Sequence, residues 1–180
     1  MGCAPAAAAR SIAYLGETQD FETDDAQDIY DDLVDEMDTD IGGSGTTDEN
    51  MLDGKNSYVA DNALGIDSEI AYTDTFDPTN GSSWDDLMEQ VQDALEKGCD
   101  VEILITWSGG GGHAAMVTSV TTHADGSATI HYVDDPTQGD GTAENQEHAI
   151  AADDTGDFAN GTADGFMIQC PPETDVIVTL

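Results

Sequence analysis

Gly109-Gly110-Gly111-Gly112-His113-Ala114-Ala115-Met116-Val117 sets a run of four glycines directly before an apolar segment opened by histidine, the pattern of a tight turn between two strands. The glycine run ends one β-branched, strand-like run, 101–107, and His113 opens the next, 113–122. Ala124-Asp125-Gly126-Ser127 is then a hairpin turn signal leading to a third strand at 128–133. Strands joined this closely pair antiparallel. Further strands are expected at 147–151, 166–170 and 175–180, with the polar stretch 153–164 as a long loop among them.

Upstream the pattern changes from strand to helix. Residues 5–15 form an apolar helix opened by Pro5, whose missing N–H costs nothing in a first turn, and stopped by Gly16. A second helix fits 24–37, where Ile29, Leu33, Val34 and Met37 recur at helical spacing with acids on the outer face. After a loop at 42–47 a third helix fits 48–64, weakened by Gly54, with a short strand at 69–73. Ser83 and Asp86 make a start like a capping box for a fourth helix, 84–97, ended by Gly98. Helices first and an antiparallel sheet afterwards predict an α+β fold. At 180 residues the chain is expected to be one domain, 1–180, helical over about 1–98 and sheet over about 99–180.

Charge bounds the partners. Asp and Glu number 39 against 3 Lys and Arg, a formal net charge of −36, yet the acids sit within regular apolar periodicity, so charge-driven disorder is not expected. Such self-repulsion is relieved by salt, which points to a halophilic source. It also repels nucleic acid and anionic lipid, so neither is an expected partner. No run is long enough for a membrane span, and no basic, apolar leader precedes Cys3. Lipidation at Gly2 is not expected either, because Ala6 stands where the myristoylation pattern needs Ser or Thr. A soluble monomer is expected: extracellular or at the cell surface if cut from a larger protein, cytoplasmic in a salt-accumulating cell if Met1 is the native start.

Three cysteines do not make a disulfide framework. Cys99 and Cys170 lie in apolar contexts and read as buried thiols or one bridge. Cys3 is different, because it opens a helix, where unpaired N–H groups and the dipole favour a thiolate. A base for it must come from elsewhere in the chain. Of the four histidines, His113 is best placed, since the glycines before it leave its imidazole uncrowded; His123 abuts a turn, and His131 and His148 lie within strands. The 113–122 and 128–133 hairpin returns Asp134 and Asp135 beside His113, and either can orient the imidazole. Cysteine, histidine and aspartate thus supply a nucleophile, a base and an orienter.

Metal chemistry is less well supported. Residues 38–49 resemble a calcium loop in spacing, with Asp38, Asp40, Gly43 and Glu49 in register, but Gly42 occupies a ligand position. Histidines and cysteines show no zinc spacing. No metal and no cofactor are expected.

The chain resembles the C39-like branch of papain-type cysteine peptidases. The matching features are Cys3-Ala4-Pro5 opening a helix that ends in Tyr14-Leu15-Gly16, the Gly45-Thr46-Thr47 loop, the helix from Trp84 to Gly98, Gly112-His113 and Asp134-Asp135-Pro136. The resemblance implies a papain-like α+β fold with the active site between the first helix and the sheet. It implies Cys3 as nucleophile, His113 as general base and acid, and Asp135, directly before Pro136, as orienter, with Asp134 as the alternative. The implied reaction is hydrolysis of a peptide or isopeptide bond in a peptide or protein substrate through a thioester. The glutamine that stabilises the oxyanion in such enzymes has no counterpart in the two residues ahead of Cys3. A catalytically impaired peptide-binding module, or an acyl or amine transferase on the same scaffold, are therefore the other readings.

Overall fold

The computed structural model describes residues 2–19, 24–41, 43, 45–64, 66, 71–72, 84–134 and 146–170. Three helices come first: α1 (Cys3–Gln19), α2 (Ala26–Glu36) and α3 (Asp48–Asp61). The side chain of Asp25 caps α2 by accepting from the N–H groups of Gln27 and Asp28, and the Thr47 hydroxyl caps α3 by accepting from Asn50 N–H. Alanines pack α1 closely on its neighbours, with Ile12 and Leu15 wholly buried. Gly16 does not stop this helix, which runs three residues further. One glycine costs a helix only about 1 kcal/mol, and past it the Thr18 hydroxyl donates back to the Tyr14 carbonyl.

Gly54 has a packing reason. A Cβ there would lie 2.8 Å from the backbone nitrogen of Met37, so α2 and α3 cross where only glycine fits. The acids of α2 face outward while Ile29, Tyr30 and Leu33 are buried.

The sheet is antiparallel and consists, among the described residues, of β1 (Ala71–Tyr72), β2 (Asp100–Trp107), β3 (Gly112–Thr122), β4 (Ala128–Asp134), β5 (Gln146–Ala152), β6 (Asp157–Phe158) and β7 (Gly161–Gln169). The order is β1-β7-β2-β3-β4-β5, and β6 pairs with β7. Helix α4 (Trp84–Glu96) packs Trp84, Leu87, Met88 and Val91 on one face, against Val101, Ile103, Ile130 and Phe166. The other face, through Leu104, Ala114 and Met167, receives α1, α2 and α3. The α+β reading holds, with the helices divided between the two faces.

The stretch 153–164 is not the expected long loop. Asp153 Oδ1 accepts from the N–H groups of Thr155 and Asp157, Gly156 takes φ +83°, and the chain turns directly into β6 and β7. Its acids and glycines are turn chemistry rather than loop filling. Gly161 begins β7 because a Cβ would collide with the Thr106 carbonyl across the ladder. The strand expected at 175–180 lies outside the described residues, as do Ser83 and all but Ala71 and Tyr72 of the strand expected at 69–73.

Two further ties hold the sheet. Cys99 and Cys170 form a disulfide just beyond the paired ends of β2 and β7, where Asp100 faces Gln169. On the α3 side, Lys55 is fully buried with its Nζ 2.5 Å from both Asp100 Oδ2 and Glu102 Oε1.

Candidate active site

Cys3 is the first residue of α1, and the first helical bond, Ala6 N–H to Gly2 C=O, leaves the N–H groups ahead of it directed out of the helix end. Pro5 falls in that turn and takes no donor from the ladder. The opposite side of the site comes from the β2–β3 hairpin. Trp107 N–H donates to Gly111 C=O and Gly110 N–H to Trp107 C=O, closing a turn in which Gly110 and Gly111 take φ +90° and +88°. The glycines serve this turn, and a Cβ on Gly109, Gly110 or Gly111 would meet nothing within 4 Å. They leave open space beside His113.

His113 joins the two halves. It hydrogen-bonds the Cys3 sulfur, and its Nε2 lies 3.1 Å from Asp134 Oδ1. With Nε2 so engaged, Nδ1 is the ring nitrogen left for the thiol. Only 11% of the His113 side chain is exposed. Trp107 stacks on its ring at 6.0 Å between centroids, and Phe158 meets Trp107 edge-on. The imidazole is thus held on one face by indole and at its two nitrogens by a thiol and a carboxylate.

The electrostatics separate charge. Burial pushes the Cys3 thiol up, but the hydrogen bond from His113, the N–H groups of Ala114 and Ala4 and the charge of His113 together bring it below the ordinary cysteine value. Burial pushes His113 down, while hydrogen bonds to Asp134 and Cys3 and their charges raise it to about 9. Near neutral pH this favours a thiolate beside an imidazolium.

A cleft of about 130 Å³ opens at the pair. Thr46, Asp48 and Met51 form one wall, Leu104 and Thr106 the other, and Gly111 and Gly112 the rim. Asp135, which the resemblance favours as orienter, lies outside the described residues, and Asp134 is the described carboxylate at the ring. The remaining histidines are engaged elsewhere: His123 with the Thr129 hydroxyl, His131 4.0 Å from Glu147, and His148 stacked on Tyr132. Among the described residues no three His, Cys, Asp or Glu side chains are arranged to hold a metal, and Gly42 and Ser44 of the calcium-like segment lie outside them. No helix among them is long and apolar enough to cross a membrane.

Residues 1–159 match the Peptidase_C39 like family. The chain belongs to that family. The C39-like match covers the four helices and six of the described sheet strands in full, and β7, which pairs with β2 along its length, completes the sheet beyond it. Neither the curated proteins nor the solved structures gave a match.

Proposed function

We infer that this C39-like chain is a cysteine peptidase that cleaves a peptide or isopeptide bond, with Cys3 as nucleophile, His113 as base and acid, and Asp134 as orienter. The observation that carries the reading is the continuous line from the Cys3 sulfur through the His113 ring to Asp134 Oδ1, with the thiol lowered and the imidazole raised. In the reaction the Cys3 thiolate attacks the substrate carbonyl, and His113 gives its proton to the departing amine. Water, deprotonated by His113, then cleaves the thioester and restores the pair. The backbone N–H of Cys3, at the start of α1, is the donor this chain offers to the developing oxyanion. All three groups come from one chain, so one domain acting as a monomer suffices. The Cys99–Cys170 bridge fits an oxidising compartment outside the cell.

Alkylation and turnover together test the reading. Iodoacetamide at neutral pH and molar salt should label Cys3 alone, since the other two cysteines are bridged, and should abolish cleavage of a peptide library. Cys3→Ala should cleave nothing. Rapid labelling without turnover or acyl-enzyme would replace the peptidase by a peptide-binding module. Product appearing only with an added amine would make it a transferase.

A further inference from the structure

Lys55, Asp100 and Glu102 lie one layer beneath the cleft and connect its two walls. Lys55 is one helical turn beyond Met51 on α3, so both project from the same side of that helix. Glu102 precedes Leu104 by two residues on β2, so both project from the same strand face. Met51 and Leu104 line the cleft itself. Helix α3 packs chiefly on α2 and α1, and the Lys55 stem reaches from it to the strand.

The charges beneath the cleft do not balance. One ammonium faces two carboxylates, all wholly buried or nearly so. Asp100 Oδ1, Glu102 Oε2 and both polar atoms of the Gln169 side chain have no hydrogen-bond partner among the described residues. Gln169 is fully buried and stands opposite Asp100 in the β2–β7 register. An unmatched buried charge is strongly destabilising, as is each orphaned polar atom. A single proton removes the excess. The two carboxyl groups lie within hydrogen-bonding reach of each other, and a protonated Asp100 donates to Glu102 while Lys55 bonds both.

We propose that Lys55, Asp100 and Glu102 form a proton-dependent clamp that positions α3 against β2, so that loss of the shared proton loosens the cleft and weakens substrate binding. The groups facing one another are Lys55 from α3, Asp100 and Glu102 from β2, and the uncharged Gln169 from β7. β3 places Met116 opposite Glu102 and Ala114 opposite Leu104. The buried residues of α1 and α2 are neutral, Tyr30 included, and Tyr58 on α3 is pushed up to about 12 by burial and by Asp24, Asp32 and Asp28. Burial raises Asp100 against the pull of Lys55, and Glu102 raises it further, to about 7. The unfolded value is near 3.8, so the sign follows. The folded state binds the extra proton below about pH 7, and its contribution is lost as pH rises towards that value. Above it the clamp carries a second negative charge with no partner. Cys3 and His113 sit on α1 and β3, which hold no clamp residue, so the effect falls on KM rather than on the chemical step.

The test uses the full chain at constant molar salt between pH 5 and pH 8.5, with one readout that needs no activity. Amide hydrogen exchange at Asn50 and Met51, corrected for its intrinsic pH dependence, should accelerate by up to about tenfold per pH unit as pH rises towards 7 and level off once Asp100 is ionised. Asp100→Asn copies the protonated shape and should make exchange independent of pH. Glu102→Gln removes the repulsion that raises Asp100 and should move the midpoint to lower pH, which carries the test if Asp100→Asn fails to fold. The kinetic arm rests on the peptidase reading: KM should rise at least about threefold over the same range in the native chain and stay level in Asp100→Asn. Flat exchange in the native chain, an acceleration that survives Asp100→Asn, or a midpoint unmoved in Glu102→Gln overturns the clamp. Absent turnover with the predicted exchange behaviour overturns only the peptidase.

Discussion

Replacing Asp134 by alanine removes the carboxylate 3.1 Å from His113 Nε2 and should move the alkaline limb of activity. His113 rises from an ordinary value of 6.5 to about 9, which at 1.36 kcal/mol per pH unit is about 3 kcal/mol in favour of the imidazolium. Asp134 contributes the leading hydrogen bond and the leading charge to that rise, ahead of Cys3. Its share is therefore more than half, about 2 kcal/mol, and the limb should fall by about 1.5 pH units. The direction follows from linkage. The imidazolium that partners the thiolate is lost as pH rises through about 9, so lowering the histidine narrows the active range from its alkaline side. The assay is kcat/KM from pH 5 to pH 10.5 at constant molar salt, where the limbs report the free enzyme. Alkylation of Cys3 over the same range gives the result without a substrate. An alkaline limb unmoved in Asp134→Ala, but lowered in Asp135→Ala, would refute the assignment.

Three further outcomes can be measured on stability. The Cys99–Cys170 bridge spans 71 residues, so by chain entropy its removal in Cys99→Ala/Cys170→Ala should cost about 4 kcal/mol in urea unfolding at matched salt; a loss under about 1 kcal/mol would show that it constrains little. Gly54→Ala should destabilise by about 1–3 kcal/mol because its Cβ meets Met37, whereas helix propensity alone would make it stabilising, and calorimetry decides the sign. With a net charge of −36, the thermal midpoint should rise steeply between 0.1 M and molar potassium chloride; a flat midpoint in a chain folded at low salt would contradict the electrostatic reading.

Periodicity made most elements legible, since Ile29, Leu33 and Met37 mark one face of α2 and the β-branched runs mark β2, β3 and β4. Cys3 and His113 were legible because a helix start and a glycine turn announce themselves locally. The approach of Asp134 to the ring was not. In β3 and β4 the pairing passes from Ser119 with His131 to Val117 with Tyr132, an irregularity that shifts the register by one residue. Continued from Val117, the register sets Asp134 opposite Ala115, on the strand face of His113. Without the irregularity, Asp135 would take that place, and one residue of slip exchanges the two faces. Nothing in Val117-Thr118-Ser119 signals it. The buried cluster was also hidden, because Asp100-Val101-Glu102 reads as the alternation of a half-exposed strand, and only the packing of α3 over that face shows that Lys55 covers it.

The stacking of Trp107 on His113 gives the site an optical handle. An indole whose neighbour changes from imidazole to imidazolium meets a cation at its π-face, and its emission changes with that charge. The chain has two tryptophans, and Trp84, the buried first residue of α4, packed against Phe166, supplies a steady background. Intrinsic fluorescence therefore reports the protonation of the His113 ring in the resting protein, with no label and no substrate. Occupation of the cleft beside that ring registers in the same signal, so binding and ionisation can be followed in one cuvette.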